Sequence, residues 1–372
     1  MELSFEHIIL HLSLVDGVGP AAIKTIIDRK PESVEWHVLY GFSVAEWINV
    51  FGCSQLMAGA LVAGLSNKDA VRQELDLIDR HAMQWTTILS DDYPALLKHI
   101  HNPPPILYWQ GNLDALNAFT LAIVGSRKAN FYAQDAINSI VPSLISQGWT
   151  IVSGGALGAD SMAHQAALNA GGKTVAVLGS GLLHHYPASN KKLFTQMIDH
   201  GGALISSFPL DTPAYPNNFP MRNRIVSGLS KGCLVVQAAE KSGARITAQC
   251  ALDQGRDVFA IPGSIKDPLS AGCHDLIQLG AKLVTGAQDI IGEYGAVHAI
   301  ERHYVQHTLL DTQEVVAYDS PAAHIIAACV QPQSMEALLM HTQCSLSELQ
   351  TILFELQLEG KIKQDFAGMW TV

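Results

Sequence analysis

From Leu121 onward, short apolar runs rich in β-branched residues recur at near-regular intervals: Leu121-Ala-Ile-Val124, Thr150-Ile-Val152, Thr174-Val-Ala-Val-Leu178, Ala203-Leu-Ile205, Leu234-Val-Val236, Val258-Phe-Ala-Ile261 and Lys282-Leu-Val284. Within each run apolarity is continuous rather than alternating, as expected of strands covered on both faces. The stretches between them, such as Ala133 to Gln147 and Ser161 to Ala170, are long enough for helices. The pattern predicts an α/β fold with a Rossmann-like, doubly wound, mostly parallel sheet over residues 86–296.

The flanks read differently. Residues 1–85 carry helical periodicity and suggest a separate helical domain of SAM or helix-hairpin-helix type. In it, Leu14-Val-Asp-Gly-Val-Gly-Pro20 leads into Ala21-Ala-Ile-Lys-Thr-Ile-Ile27. A Gly-Val-Gly turn between helices either presents backbone N–H groups to a phosphate or is simply a tight packing turn. Residues 86–118, with Pro103, Pro104 and Pro105 in a row, predict an extended strap, because consecutive prolines forbid helix. Residues 297–318 lose periodicity and read as a linker. Residues 319–372 predict a winged-helix domain with helices near 322–329, 335–341 and 345–358, then a two-stranded wing over 361–371. In its third helix Leu346, Leu349, Ile352, Leu353 and Leu356 form one apolar stripe, and the outward face carries Glu348 and Glu355 without a cation.

Composition narrows the class. Hydrophobic residues make up 48% of the 372 positions and charged residues 15%, a balance that supports large buried cores. No apolar run approaches the roughly 18 uncharged residues of a membrane span, the amino terminus lacks a basic start, and the six cysteines are scattered without a C-x-x-C pair. A cytoplasmic protein with reduced thiols, no membrane partner and no zinc site is expected. The net charge of −11 argues against a polyanionic partner until it is resolved along the chain. Residues 119–290 hold 13 Lys and Arg against 10 Asp and Glu, whereas both flanks are acidic. A local basic site survives in an acidic chain because screening limits charge to about 8 Å at physiological salt.

Four strand ends carry the candidate chemistry, at the rim where open α/β sheets bind ligands. They are Gly125-Ser126-Arg127, then Gly154-Gly155 in Ser153-Gly-Gly-Ala-Leu-Gly-Ala-Asp160, then Phe219 with Arg222-Asn223-Arg224, and Lys241-Ser242-Gly243 followed by Arg245. Glycines let an anion approach backbone N–H groups, arginines clasp phosphate, and an aromatic face stacks an unpaired base. A bland reading stands beside this one, in which the glycines serve tight turns and the arginines pair with carboxylates. No cofactor is expected. A dinucleotide site wants an acidic residue after the third strand, where Gly179-Ser-Gly181 stands, and no Gly-Lys-Ser or Gly-Lys-Thr phosphate loop occurs. No nucleophile elbow or metal-spaced His pair is present, and His164 reads as a packing residue rather than a base.

The middle of the chain resembles the DNA processing protein A family, also called DprA or Smf. The resemblance is carried by Tyr93-Pro94, Pro103-Pro-Pro-Ile-Leu-Tyr108, Val124-Gly-Ser-Arg127, Ser153-Gly-Gly-Ala-Leu-Gly-Ala-Asp160, Ala163-His164, Tyr186-Pro187, Phe219-Pro-Met-Arg-Asn-Arg224, Ser242-Gly243 and Gly255-Arg-Asp-Val-Phe-Ala-Ile-Pro-Gly263. It implies a non-enzymatic homodimer that binds incoming single-stranded DNA during natural transformation and helps load the RecA recombinase. It further implies a DNA pocket using Ser126 and Arg127, with Phe219, Arg222 and Arg224 as the stacking and cationic stretch and Lys241 near the rim. Ser206-Ser207 and Val236-Gln237-Ala238 depart from the family's usual Ser-Glu and Val-Glu-Ala. Two other readings remain at this level: a nucleoside-monophosphate phosphoribohydrolase, which would want a Glu after Gly155 that is missing here, and a winged-helix transcription regulator.

Overall fold

The computed structural model describes residues 4–294 and, further on, 325–326, 328–329, 333, 335–342, 345–358, 361–364 and 370–371. Nine strands form one sheet: β1 (Gln84–Thr87), β2 (Ile106–Gly111), β3 (Thr120–Val124), β4 (Thr150–Ser153), β5 (Thr174–Val177), β6 (Ala203–Ser206), β7 (Gly232–Val235), β8 (Asp257–Ala260) and β9 (Lys282–Leu283), in the spatial order β1-β2-β6-β5-β4-β3-β7-β8-β9. Strands β3 to β9 pair in parallel, with Ala122 opposite both Val152 and Cys233. The apolar runs read from the sequence are these seven strands, each shifted by no more than two residues at an end.

Alternate residues of each strand enter different cores. Leu121, Ile123, Ile151, Leu234 and Phe259 pack with α7 (Phe131–Ser146) and α8 (Ala159–Asn169) on one face. Ala122, Val152, Val175, Val235 and Ala260 pack with α10 (Asn218–Gly228), α11 (Gly243–Asp253) and α12 (Ala271–Gln278) on the other. Burial on both faces is what a continuous apolar run can satisfy and an alternating one cannot.

Within 86–118, the segment expected as an extended strap, α6 (Ala95–Lys98) is one turn of helix and β2 belongs to the sheet. Strand β2 runs antiparallel between β1 and β6, with Tyr108 opposite Trp85 and Ser206. Ile106, Leu107, Tyr108 and Trp109 are all buried, alternate residues falling into the two cores, and this burial draws the segment into the ladder. The prolines do stop helix formation, as expected, in the three residues before the strand.

The helical start, α1 (Phe5–Leu14), α2 (Pro20–Arg29), α3 (Val44–Phe51), α4 (Gln55–Ser66) and α5 (Lys68–Arg80), covers the β2 and β6 side of the sheet. Ile8, Trp47 and Leu61 share a core with Tyr108, Ala176, Leu204 and Phe194, the last from α9 (Lys191–Asp199). Glu74 of α5 reaches the loop after β6, where its Oε1 accepts from Leu210 N at 2.8 Å. Residues 1–296 therefore form one compact unit, and the change of element type near residue 85 is not a break in the core. The Gly-Val-Gly turn joins α1 to α2, with Gly17 at φ +79° and Val15 and Val18 buried.

The second unit is residues 297–372. Among its described residues are the helices Met335–Thr342 and Leu346–Leu358 and an antiparallel pair, Lys363–Gln364 with Trp370–Thr371. Ser345 and Glu348 cap the longer helix reciprocally, and Leu349, Leu353 and Leu356 pack with Ile325, Leu338 and Trp370. The expected linker, 297–318, lies outside the described residues, as does part of the helix expected over 322–329.

Candidate functional site

In the sheet order, the chain runs one way from β3 to β6 and the other way from β3 to β9, so the crevice between the carboxyl ends of β3 and β7 is the topological switch point. Ser126 N donates to Gln237 O across it at 2.7 Å. A cavity of about 730 Å³ opens there. The β3 loop, Gly125 to Lys128, forms one wall, and Lys241 to Thr247 the other. Gly154, Asp160 and Arg222 form the floor, with Tyr186, Phe219 and Pro220 above.

Glycines let these walls approach. A Cβ on Gly125 would lie 2.6 Å from Ala159 Cβ, and one on Gly158, at φ +77°, would lie 2.3 Å from the Ser126 carbonyl oxygen. Under them the α8 amino end is already engaged: Ala159 N donates to Ser126 O and Ala156 N to Asp160 Oδ2.

Arg222 is fully buried. Its Nη1 donates to Val177 O at 2.5 Å, and its Nε has no partner among the described residues. Burial pulls its guanidinium down to about 10, Asp160 opposing and Arg127 assisting, so it stays charged at neutral pH. Burial likewise pushes the Asp160 carboxyl up, against the pull of Arg222. Beside them His164 Nδ1 lies 2.6 Å from Thr174 Oγ1, whose hydroxyl donates to Ile151 O. The imidazole therefore donates through Nδ1, and burial first, then Arg222, depresses it to about 3. His164 is a neutral packing residue, as its sequence setting suggests.

Above the floor, the Arg127 guanidinium lies over the Phe219 ring at 5.1 Å. The same ring is 5.5 Å from Tyr186 and backs onto Gly179, where a Cβ would meet Phe219 Cδ1 at 2.8 Å. Lys128 and Lys241 are exposed at the two sides and have no carboxylate partner among the described residues. Ser242 caps α11 by accepting from Ala244 N, and Asn223 Nδ2 donates to Gly243 O, tying α10 to that cap.

The structure thus brings together Gly125, Ser126, Arg127, Gly154, Phe219, Arg222, Asn223, Lys241, Ser242 and Gly243. It does not bring Gly155 or Arg224. Gly155 faces Phe194, and Arg224 Nη1 donates to Asn102 O on the segment before β2. Two residues along a helix are about 200° apart, so Arg222 and Arg224 cannot line one cavity. Arg245, expected at the rim, pairs with Asp275 at 2.9 Å. Sequence reasoning missed Tyr186, Gly179, Lys128 and Asp160. Gly179 had a readable signal, since it stands where a dinucleotide site would put a side chain.

Gln237 clamps this wall. Its Oε1 accepts from Asn130 N, and its Nε2 donates to Asn130 Oδ1 and to Asp267 Oδ2. Only an amide can donate to Asp267.

A larger cleft, about 1010 Å³, lies at the amino ends of β3 and β7, but Asp91, Asp92 and Asp114 against the single Lys231 make it unfit for a polyanion. Among the described residues no group of three His, Cys, Asp or Glu could hold a metal ion, and no helix is long and apolar enough to cross a membrane.

Comparison with known proteins gives four likenesses. The sequence profile described as DNA recombination-mediator protein A matches residues 84–295. Protein Smf of Escherichia coli is 48% identical over 202 residues, a match spanning 54% of this chain and 54% of that protein. The X-ray structure of DNA processing protein A from Streptococcus pneumoniae, 34% identical, superposes with a TM-score of 0.67 over 79% of this chain and 99% of its own. That of the Helicobacter pylori protein, solved to describe its single-stranded DNA binding mode, is 30% identical, with a TM-score of 0.51 over 56% of this chain and 95% of its own.

Proposed function

Because the chain belongs to the DNA recombination-mediator protein A family, we infer that the cavity at the β3/β7 crevice holds single-stranded DNA. A recombination mediator is not an enzyme. The observation that carries the reading is Arg127 over the Phe219 ring, above the buried charge of Arg222. A guanidinium neutralises a phosphate while the ring beside it offers a face to an unpaired base, a pairing of chemistries that a paired duplex cannot use. The reading extends to protection of incoming DNA in transformation, delivery to the RecA recombinase, a homodimeric state, a cytoplasmic location and a winged-helix character for residues 319–372. These rest on family membership.

Titrating labelled oligonucleotides, single-stranded and duplex, across a salt series tests the central claim. Single strands are expected to bind tighter, with little sequence dependence and a steep salt slope. Equal affinity for a duplex of the same length would overturn it.

A further inference from the structure

The cavity is not the end of the cationic and aromatic surface. Four residues beyond Arg127, Phe131 opens α7 with its side chain 77% exposed, a large apolar ring in water that packs against no core. It is held there firmly. Asn130, the residue before it, caps α7 by accepting from Tyr132 N and is itself gripped by both ends of the Gln237 amide. Tyr132 Oη, the next residue along, donates to Pro262 O and fixes the 262–270 loop to the start of α7. That loop contributes Leu269 to the cavity and exposes Ile265, 91% accessible, and Lys266. Its own carboxylate, Asp267, is occupied by Gln237 Nε2 and Leu269 N. Leu157, 48% exposed, precedes Gly158, where a Cβ would meet the Arg127 backbone.

Resting on the reading above, we propose that Phe131 is a second base-stacking station, where single-stranded nucleic acid leaving the Phe219 cavity lays its next bases along the rim formed by Lys128, Phe131, Ile265 and Lys266. The surface is continuous with the cavity through residues 125–131, and its lysines are unpaired among the described residues, as a strand's phosphates require. An apolar ring set among cations suits a polyanion with exposed base faces better than it suits an apolar protein surface, which would leave those lysines to be desolvated without partners. One carboxylate of this helix, Asp135, stands four residues on, one turn along the same face as Phe131, and sets the end of the rim on that side.

The test uses the full chain and oligothymidylates from about 4 to about 16 nucleotides, the range covered by comparable single-strand sites. Phe131→Ala is expected to bind the shortest strands as the parent does and the longest about fivefold more weakly, and Phe131→Trp to restore the loss. Photocrosslinking of a 5-iodouracil-substituted strand, read by peptide mass spectrometry, is expected to label the peptide bearing Phe131 only when the strand is long. If Phe131→Ala matches the parent at every length while Phe219→Ala weakens all lengths, the station is refuted and the cavity stands. If Phe219→Ala and Arg127→Ala also bind like the parent, the cavity reading itself fails. Loss at all lengths together with a changed sedimentation coefficient would make Phe131 a self-association residue and overturn the proposal.

Discussion

Gly154 and Arg222 occupy one space: a Cβ built on Gly154 would lie 2.0 Å from Arg222 Nη1 and 2.7 Å from Asp160 Oδ2. The glycine is there to admit a buried guanidinium, not to cradle an anion itself. Gly154→Ala is therefore expected to expel Arg222 from the Val177 carbonyl, lowering unfolding free energy by about 1–3 kcal/mol, the usual cost of overpacking, and weakening single-strand binding. Urea denaturation and anisotropy titration measure the two effects. An alanine variant that keeps both stability and affinity would show that Arg222 has another place to go.

Arg127 and Phe219 touch, yet their removal is expected to read differently. Losing the cation of Arg127 removes about one phosphate contact, so the slope of log affinity against log salt shrinks by about one unit in Arg127→Ala. Phe219→Ala is expected to lose affinity, by about 1–3 kcal/mol for a stacked base, at an unchanged slope. A salt series on both variants separates charge from stacking.

Arg224 is expected to act on the fold alone. Its guanidinium is half-buried and donates to Asn102 O, and Gln254 Nε2 donates to the Arg224 carbonyl. Arg224→Ala should cost about 1 kcal/mol of stability, as a charged donor leaves a half-buried acceptor, while the salt slope of DNA binding stays at the parent value. A slope reduced by one unit would return Arg224 to the binding surface.

The buried His164 sets a pH dependence. Folded, it titrates at about 3 instead of 6.5, so between those values the unfolded chain binds the extra proton and stability falls as pH falls. The contribution is complete above about 6.5 and is lost toward 3, with a ceiling on the order of 3–5 kcal/mol. Unfolding measured from pH 7 to 4 is expected to show a shallower decline in His164→Gln than in the parent. Parallel curves would mean that His164 takes its proton without unfolding.

Ending the chain before Asp319 is expected to leave single-strand affinity intact, because every cavity residue belongs to the unit 1–296, whose cores are its own. The exposed Glu348 of the helix Leu346–Leu358 opposes a DNA-reading role for that helix. A truncated, folded protein that loses most of its DNA affinity would move part of the site into residues 319–372.

The sequence by itself determined the parallel strands, their order along the chain and the rim where a ligand binds. Continuous apolar runs can be buried only between two helical layers, and strand-end glycines mark close approach wherever the sheet places them. Tertiary structure decided what no local pattern states. Ile106-Leu-Tyr-Trp109 became an antiparallel strand because its two faces met two existing cores. The amino-terminal helices became a covering layer because Tyr108 and Leu204 gave Ile8 and Trp47 a surface to share. Three arginines expected at one rim parted company, Arg222 to the floor of the cavity, Arg224 to Asn102 and Arg245 to Asp275. Charge is legible in a sequence, but which side of a helix faces a cavity, and which carbonyl or carboxylate waits on the other side, depends on elements brought together from 30 to 122 residues away.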